Sequence, residues 1–213
     1  MKTAKPVPNA IPAAAELILA SASAGRAALL RGAGLRFRQE PAAIDERALE
    51  AAALQRNGSL DAGALAALLA AEKARAVSRL HPGALVIGAD QVTACEGQLL
   101  HKPSDTDTAR KQLKQLRGRV HSVNAGVAVA VAGETRWRHV ERAHLRMRDF
   151  SDEFLDAYIA SEDPVLFTCV GAYRIEGLGI QLFSHIDGDH FSIIGLPLLP
   201  LLGYLREIGW LTS

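Results

Sequence analysis

The sequence predicts an α/β fold, and three stretches carry that prediction. Residues 85–87 are consecutive apolar residues, two of them β-branched, as in a strand that is buried on both faces. Residues 16–20 form a short apolar strand that turns directly into a helix. Residues 120–148 have the pattern of one long hairpin around Ala132-Gly133.

Length, charge and cysteine content limit the size, the partners and the cross-links that we expect. A chain of 213 residues suits one domain or two small lobes that share a core. The formal net charge of +1 gives no overall attraction to nucleic acid or to an anionic membrane. The two cysteines, Cys95 and Cys169, are far apart and have no metal-ligand spacing. In a cytosolic chain, two free thiols are favoured over one disulfide.

The first 15 residues differ in character from the rest of the chain. Residues 1–15 carry two lysines and three prolines, without the apolar run of a signal peptide or a membrane span. We therefore expect a disordered extension over residues 1–15 and a single domain over residues 16–213. Because no later stretch reaches transmembrane length, we expect a soluble, cytoplasmic protein.

The first turn is a candidate anion site. Residues 21–26 carry Ser21, Ser23 and Arg26 and open a helix over residues 27–31. Free backbone N–H groups, two hydroxyls and a guanidinium would then meet at a helix N-terminus, where anions bind well. The alternative is that Ser23 is simply the N-cap of this helix.

The central strand carries the most conspicuous polar pair. Gly88 and Ala89 remove side-chain bulk, so that a ligand can approach the backbone. Asp90 and Gln91 follow where the strand is expected to end, and ligands of open α/β sheets sit at such ends. A carboxylate there is either a binding group or an ordinary cap of a loop or helix.

The remaining elements follow from periodicity and caps. Strands are predicted over residues 35–40, 92–95, 98–100 and 180–186, and helices over residues 47–55, 64–80, 105–117, 151–161 and 197–208. Residues 57–59 separate the second and third helices, and residues 164–168 are a strand or a loop. Glu46 and Lys73 have the local pattern of a first-turn acid and a solvated helical lysine. Pro103 restricts the backbone directly after Lys102, and residues 171–179, rich in glycine, suit the lining of a pocket.

Two other clusters have competing interpretations. One face of the second hairpin strand carries Arg136, Arg138, Arg142, His144, Arg146 and Arg148. This face suits RNA, but without aromatic partners a solvated or inter-lobe face is favoured. Residues 185–190 offer four potential metal ligands, although Asp-Gly-Asp is first of all a turn. A hydrolase that uses Zn²⁺ at this cluster is a further alternative.

Several motifs, in this order, resemble those of the Maf family of nucleotide pyrophosphatases. They lie between residues 17 and 211, and each is weak alone. The matching segments are Ser21-Ala22-Ser23 with Arg26, Asp45-Glu46, Glu72-Lys73-Ala74, Gly88-Ala89-Asp90-Gln91, Lys102-Pro103, Gly171-Ala172-Tyr173, Glu176-Gly177 and Gly195-Leu196-Pro197.

The resemblance implies a mixed α/β sheet in two lobes with a central cleft, and a homodimer. It implies hydrolysis of a nucleoside triphosphate to the monophosphate and pyrophosphate, which removes non-standard nucleotides from the cell. Asp90 would be the proton acceptor, and Glu46 and Asp90 would hold a divalent cation such as Mg²⁺ or Mn²⁺. The residues implied for the triphosphate site are Ser21, Ser23, Arg26, Glu46, Lys73 and Lys102.

The base of the substrate is indicated by fewer residues. Gln91, Cys169 and Glu176 resemble the branch of the family that prefers N7-methyl-GTP. A carboxylate at position 176 matches the two adjacent donors of guanine, whereas uracil presents an acceptor–donor–acceptor edge. The alternatives are a pyrimidine-type (dTTP/UTP) pyrophosphatase and a non-catalytic nucleotide- or RNA-binding module. Ala24, Gly25 and Ala27 depart from the family pattern beside Arg26.

Overall fold

The computed structural model describes residues 15–57, 61–162 and 165–212. The strands are β1 (Leu17–Leu19), β2 (Arg38–Gln39), β3 (Leu85–Cys95), β4 (Gln98–Leu100), β5 (Val120–Val131), β6 (Glu134–Met147) and β7 (Phe183–Asp187). In the described residues they form one sheet in the order β2-β1-β3-β5-β6-β7, with β4 paired to β3. β1 is parallel to β2 and β3, and the other pairings are antiparallel. The predicted α/β fold with a mixed sheet is confirmed.

Helices cover both faces of this sheet. They are α1 (Ala24–Gly32), α2 (Glu46–Asn57), α3 (Ala62–Leu80), α4 (Thr106–Leu116), α5 (Asp152–Glu162), α6 (His190–Ile194) and α7 (Leu198–Glu207). Short 3₁₀ helices cover Val165–Thr168, Val170–Ala172 and Leu178–Leu182. None of the helices in the described segments is long and apolar enough to cross a membrane.

Two apolar cores lie at opposite ends of the long strands. Leu85, Ile87 and Ala89 of β3 pack with α1 and α7, and we call this the α7 core. Cys95, at the far end of the same strand, packs with α4 and α5 in the α5 core. All four residues are odd-numbered and therefore share one face of β3. Because the two cores lie at opposite ends of this face, they form the two predicted lobes.

Helix α3 lies on the opposite face, unusually close to the sheet. A Cβ atom on Gly88 would lie 2.1 Å from the carbonyl oxygen of Ala70, and one on Gly126 would lie 2.4 Å from that of Ala66. Because real side chains do not tolerate such distances, only glycine fits at these two positions. The glycines thus bring the middle of α3 directly over β3 and β5.

Some boundaries differ from the sequence prediction. The hairpin of β5 and β6 is confirmed, but β2 covers only two residues of the predicted strand 35–40, since β1 pairs with it through only two residues. Residues 180–182 belong to a 3₁₀ helix, because the ladder between β6 and β7 ends where Met147 pairs with Phe183. α1 begins at Ala24, three residues before the predicted start.

Part of the prediction falls on residues that are not described. The expected extension, apart from Ala15, lies outside the described residues, as do Gly58 and Ser59 in the predicted break between helices and Pro164 in the segment 164–168. The single domain over residues 16–213 stays a prediction. Cys95 and Cys169 are free thiols, as expected.

Candidate active site

A gap in the strand pairing of β3 opens one edge of the sheet. β1 pairs with β3 as far as Ile87, and β4 begins to pair with it at Thr93. In the described part of the chain, residues 88–92 have no strand beside them on this edge, although β5 pairs with them on the other. We call these residues the β3 gap, and Asp90 and Gln91 lie within it.

The position of Asp90 corrects one detail of the sequence interpretation. The apolar pattern predicts that Asp90 follows the end of its strand, but β3 continues to Cys95 because β5 pairs with it from Val86 to Ala94. The strand that ends near Asp90 is its parallel neighbour β1, at Leu19. Asp90 therefore still lies at the carboxyl end of a parallel strand, where ligand sites occur.

A single ammonium group joins the two carboxylates expected at the site. Lys73 Nζ contacts Asp90 Oδ1, and it lies 2.8 Å from Glu46 Oε1. The side chains of Lys73 and Asp90 are 11% and 10% exposed, whereas that of Glu46 is 52% exposed. Lys73 is thus a buried residue rather than a solvated helical lysine, and Glu46 forms the solvent-facing rim of the group.

The turn between β1 and α1 is ordered by its own hydroxyl groups. Ser23 Oγ accepts a hydrogen bond from the backbone N–H of Arg26 at 3.3 Å, so Ser23 is the N-cap of α1. Ser21 Oγ accepts from Ser23 N at 3.2 Å and from Arg26 Nη1 at 3.0 Å. The N-cap alternative is therefore correct, and it is compatible with anion binding because the hydroxyls and the guanidinium stay together at a helix N-terminus.

One contact at this turn is absent from the sequence interpretation. Gln39 Nε2 donates a hydrogen bond of 2.7 Å to the backbone carbonyl of Ser21. Gln39 lies on β2, which pairs in parallel with β1, so it holds Ser21, two residues after the end of β1. A lone glutamine on a short strand carries no local signal of such a role.

Burial shifts the pKa values at the site in opposite directions. It raises the pKa of the Asp90 carboxyl, and the charges of Lys73 and Arg26 oppose that rise. It lowers the pKa of the Arg26 guanidinium, and the charges of Asp90 and Glu46 oppose that fall. A carboxylate with a raised pKa is a better proton acceptor than an ordinary one, and the two cations beside it are suited to an anionic ligand.

Gln91 points to the other face of the sheet, because side chains alternate along a strand. Its Nε2 donates to the carbonyl oxygen of Ile193 at 2.7 Å and approaches that of Ser192 at 3.4 Å. The amide nitrogen is therefore engaged by α6, and the amide oxygen is the atom left to meet a ligand.

Two predicted site residues stand apart from this group. Lys102 is exposed and follows β4, the strand that borders the far end of the β3 gap. Glu176 is exposed on the turn before the 3₁₀ helix at Leu178–Leu182. In the described segments neither side chain forms an ion pair, so both are free to meet a ligand but are not preassembled with Asp90.

The candidate metal ligands of residues 185–190 do not gather. Asp189 caps α6 by accepting from the backbone N–H and the hydroxyl of Ser192 at 2.8 and 2.7 Å. His185 and His190 are exposed. Among residues 15–57, 61–162 and 165–212, no three His, Cys, Asp or Glu side chains are grouped as metal ligands.

The arginine-rich face of β6 is partly engaged by the protein itself. Arg142 donates to Asn124 Oδ1 at 2.7 Å and to Asp61 Oδ2 at 3.0 Å. Trp137 points away from this face and stacks on Tyr204, with ring centroids 4.9 Å apart. These contacts favour an internal or solvated face over an RNA platform.

Comparison with known proteins points to one family. A family model described as Maf-like protein matches residues 16–208. A nucleoside triphosphate pyrophosphatase of Nitrobacter winogradskyi is 49% identical over 197 residues, covering 92% of this chain and 95% of the relative. A 7-methyl-GTP pyrophosphatase of Brucella abortus is 47% identical over 192 residues, with coverage of 90% and 96%. Another 7-methyl-GTP pyrophosphatase, of Rhizobium meliloti, is 48% identical over 193 residues, with coverage of 91% and 96%.

Proposed function

Because the chain belongs to the Maf family, we propose that it is a nucleoside triphosphate pyrophosphatase that releases pyrophosphate and a nucleoside monophosphate. The observation that carries the proposal is the arrangement at the β3 gap. There a buried carboxylate, Asp90, lies against the buried ammonium of Lys73, with the Arg26 guanidinium close enough to affect its pKa. A proton acceptor and two cations beside an open strand edge are what hydrolysis of a triphosphate requires.

The residues take distinct roles in this reaction. Water attacks the α-phosphorus, the bond to the bridging oxygen breaks, and pyrophosphate leaves. Asp90 orients the water and accepts its proton. Arg26, Lys73 and the N-terminus of α1 neutralise the phosphate charges, with Ser21 and Ser23 at the same turn. Lys102 approaches from beyond β4 to complete the neutralisation.

The carboxylates fit a divalent cation that is completed by substrate and water. Glu46 and Asp90 supply hard oxygen ligands, and both reach the same ammonium group, so one cation can contact both. Mg²⁺ is commonly held by one or two carboxylates with phosphates and water as its other ligands. When bound, such an ion supplies charge neutralisation and acidifies coordinated water. Lys73 would then turn from the carboxylates toward the phosphates.

For the base, we propose a guanine nucleotide of the N7-methyl-GTP type. The exposed Glu176 carboxylate offers two acceptors to the N1–H and amino donors of guanine. The amide oxygen of Gln91 is a further acceptor, because its nitrogen is bound to Ile193. Two relatives that carry 7-methyl-GTP in their names agree with this choice.

The proposed activity is tested by pyrophosphate release from a panel of GTP, N7-methyl-GTP, UTP, dTTP and CTP, with Mg²⁺ or Mn²⁺. We expect the methylated guanine nucleotide to be the best substrate. Asp90→Asn should abolish turnover and leave nucleotide affinity largely intact. Binding without turnover by the wild-type protein would instead indicate a non-catalytic module, and near-wild-type kcat in Asp90→Asn would remove Asp90 from the mechanism.

The base assignment has its own test. Glu176→Gln replaces one acceptor oxygen with a donor amide at the same size, so it should selectively weaken guanine nucleotides relative to UTP and dTTP. An unchanged ranking of substrates would contradict base recognition by Glu176. A ranking led by UTP or dTTP in the wild-type protein would favour the pyrimidine-type alternative.

Two further features belong to the proposal. The homodimer rests on the family resemblance alone and is tested by sedimentation velocity across a concentration series. We propose the cytoplasm as its location, since nucleoside triphosphates are made and used there.

A further inference from the structure

Helix α6 lies between the two apolar cores. Ile193 is buried in the α5 core, while Phe191, two residues earlier, packs against the α7 core. Leu196, two residues after the end of the helix, is also buried in the α7 core. This short helix therefore bridges the two lobes beside the β3 gap.

The carboxyl end of α6 holds two site side chains from different elements. Arg26 Nε on α1 donates to the Gly195 carbonyl at 2.9 Å, and Gln91 Nε2 on β3 donates to the Ile193 carbonyl at 2.7 Å. Because Arg26 Nη1 is also bound to Ser21, two edges of the guanidinium are fixed. A Cβ atom on Gly25 would lie 3.3 Å from Ile194 Cγ2, so the departure from the family pattern at Gly25 allows α1 to pack closely on α6.

A helix of this length depends on its caps. α6 has five residues, and isolated helices shorter than about 12 residues are marginal in water. At its start, the Oδ2 atom of Asp189 accepts both hydrogen bonds from Ser192, whose side chain is almost fully buried at 2% exposure. Asp189 thus caps the first turn of the helix whose last carbonyls bind Arg26 and Gln91.

We propose that Asp189 is a positioning residue for the active site. It fixes α6, and the carbonyls at the end of α6 hold Arg26 and Gln91 in the orientations that the nucleotide meets. The effect on catalysis rests on the proposed function, whereas the coupling from Asp189 to Arg26 does not. Asp189 acts through α6 and does not itself contact the nucleotide.

The chemistry of the cap supplies a discriminating variant. Both hydrogen bonds from Ser192 go to one oxygen of Asp189, and the carbonyl oxygen of an asparagine can accept both. Asp189→Asn should therefore preserve α6, although it removes the charge that a metal ligand or a proton acceptor would need. Asp189→Ala removes the cap altogether.

The kinetic test compares Asp189→Ala, Asp189→Asn and a control, Ser151→Ala. Ser151 Oγ caps α5 through the backbone N–H of Phe154 at 3.2 Å, so its loss weakens a helix that carries none of the proposed site residues. We expect kcat/KM to fall by at least about tenfold in Asp189→Ala and to stay within about threefold in the other two. A loss in Asp189→Asn as large as in Asp189→Ala would overturn the cap mechanism.

A second readout is independent of turnover. The Nε–H of Arg26, bound to Gly195, should give a protected resonance in ¹H–¹⁵N NMR spectra of the wild-type protein, assigned with Arg26→Lys. Asp189→Ala should shift that resonance or speed its exchange, while Asp189→Asn and Ser151→Ala leave it in place. If the resonance is unchanged in Asp189→Ala, the proposal is wrong. If the wild-type protein releases no pyrophosphate but the resonance responds, only the proposed function fails.

Discussion

The ammonium of Lys73 and the carboxylate of Asp90 form a buried ion pair between helix α3 and strand β3. Each side chain is only about a tenth exposed. The contact exists because Gly88 and Gly126 let α3 approach the sheet within the reach of a short aspartate. Glu46 shares the same ammonium from the solvent side. Tight helix packing thus creates a charged group where a solvated lysine is the simpler expectation.

Lys73→Met should lower the free energy of unfolding by more than the lost packing contacts alone would. Removing one partner of a buried pair leaves an uncompensated charge, which typically costs about 3–5 kcal/mol. Asp90→Asn in the same background should recover part of this loss, because no carboxylate then remains buried without its partner. Urea denaturation of the two single variants and the double variant at pH 8 gives the coupling free energy. Strictly additive losses would show that the pair contributes nothing beyond the separate side chains.

The pH dependence of turnover follows from the environment of Asp90. Asp90 accepts a proton only when it is ionised, and burial raises its pKa. The rate should therefore fall as the pH decreases, with an acid limb of kcat/KM above the range of an ordinary aspartate, whose pKa is about 3.9. Initial rates of pyrophosphate release across the pH range at constant ionic strength measure this limb. A rate that stays constant down to the ordinary aspartate range would show that the Asp90 pKa is not raised.

Sequence patterns were sufficient for the elements whose hydrogen bonds and periodicity are local. The strands β5 and β6 have regular alternation or continuous apolar runs, and Asp105 caps α4 through Thr108, as a cap residue should. The short β2 differs because its length depends on β1, its parallel neighbour. Its extent is therefore not a property of residues 35–40 alone.

Local sequence patterns predicted less of the site than of the fold. Lys73 has the pattern of a solvated lysine, and its burial depends on two glycines in distant strands, Gly88 and Gly126. The family motifs named it, whereas helical periodicity did not. Likewise, Asp189 within Asp-Gly-Asp has the pattern of a turn or a metal ligand, and its cap on α6 becomes visible only with the helix in place.

Gly88 offers a sharp test of the close helix approach. In Gly88→Ala the new Cβ would meet Ala70 backbone at 2.1 Å, so either α3 moves away or β3 distorts. We expect a loss of about 3 kcal/mol or more in the free energy of unfolding, together with loss of activity as Lys73 separates from Asp90.

Gly203→Ala is the matched control for this substitution. Gly203 lies within α7, and a Cβ there meets nothing within 4 Å. Alanine at that position should stabilise the protein by about 0.5–1 kcal/mol. Similar stability of both variants in urea denaturation would show that α3 does not contact the sheet at Gly88 as described.

His121 is buried beside the α5 core and contacts Tyr173, a residue of that core. It is 2% exposed, its Nε2 lies 2.7 Å from the Tyr173 hydroxyl, and its Nδ1 has no hydrogen-bond partner in the described residues. Burial lowers the pKa of His121 from 6.5 to about 4. The folded protein therefore excludes a proton that the unfolded chain accepts.

The consequence is a loss of stability as the pH falls. Between pH 6.5 and about pH 4 the unfolded state binds more protons at His121 than the folded state does, so the free energy of unfolding decreases with decreasing pH. The shift corresponds to about 3 kcal/mol over that window.

His121→Phe should flatten the profile there, although it costs stability at neutral pH by leaving Tyr173 without its partner. Subtracting the variant's urea-denaturation profile from that of the wild type cancels the other titrating groups, and equal slopes in wild type and His121→Phe would contradict the burial of a neutral histidine.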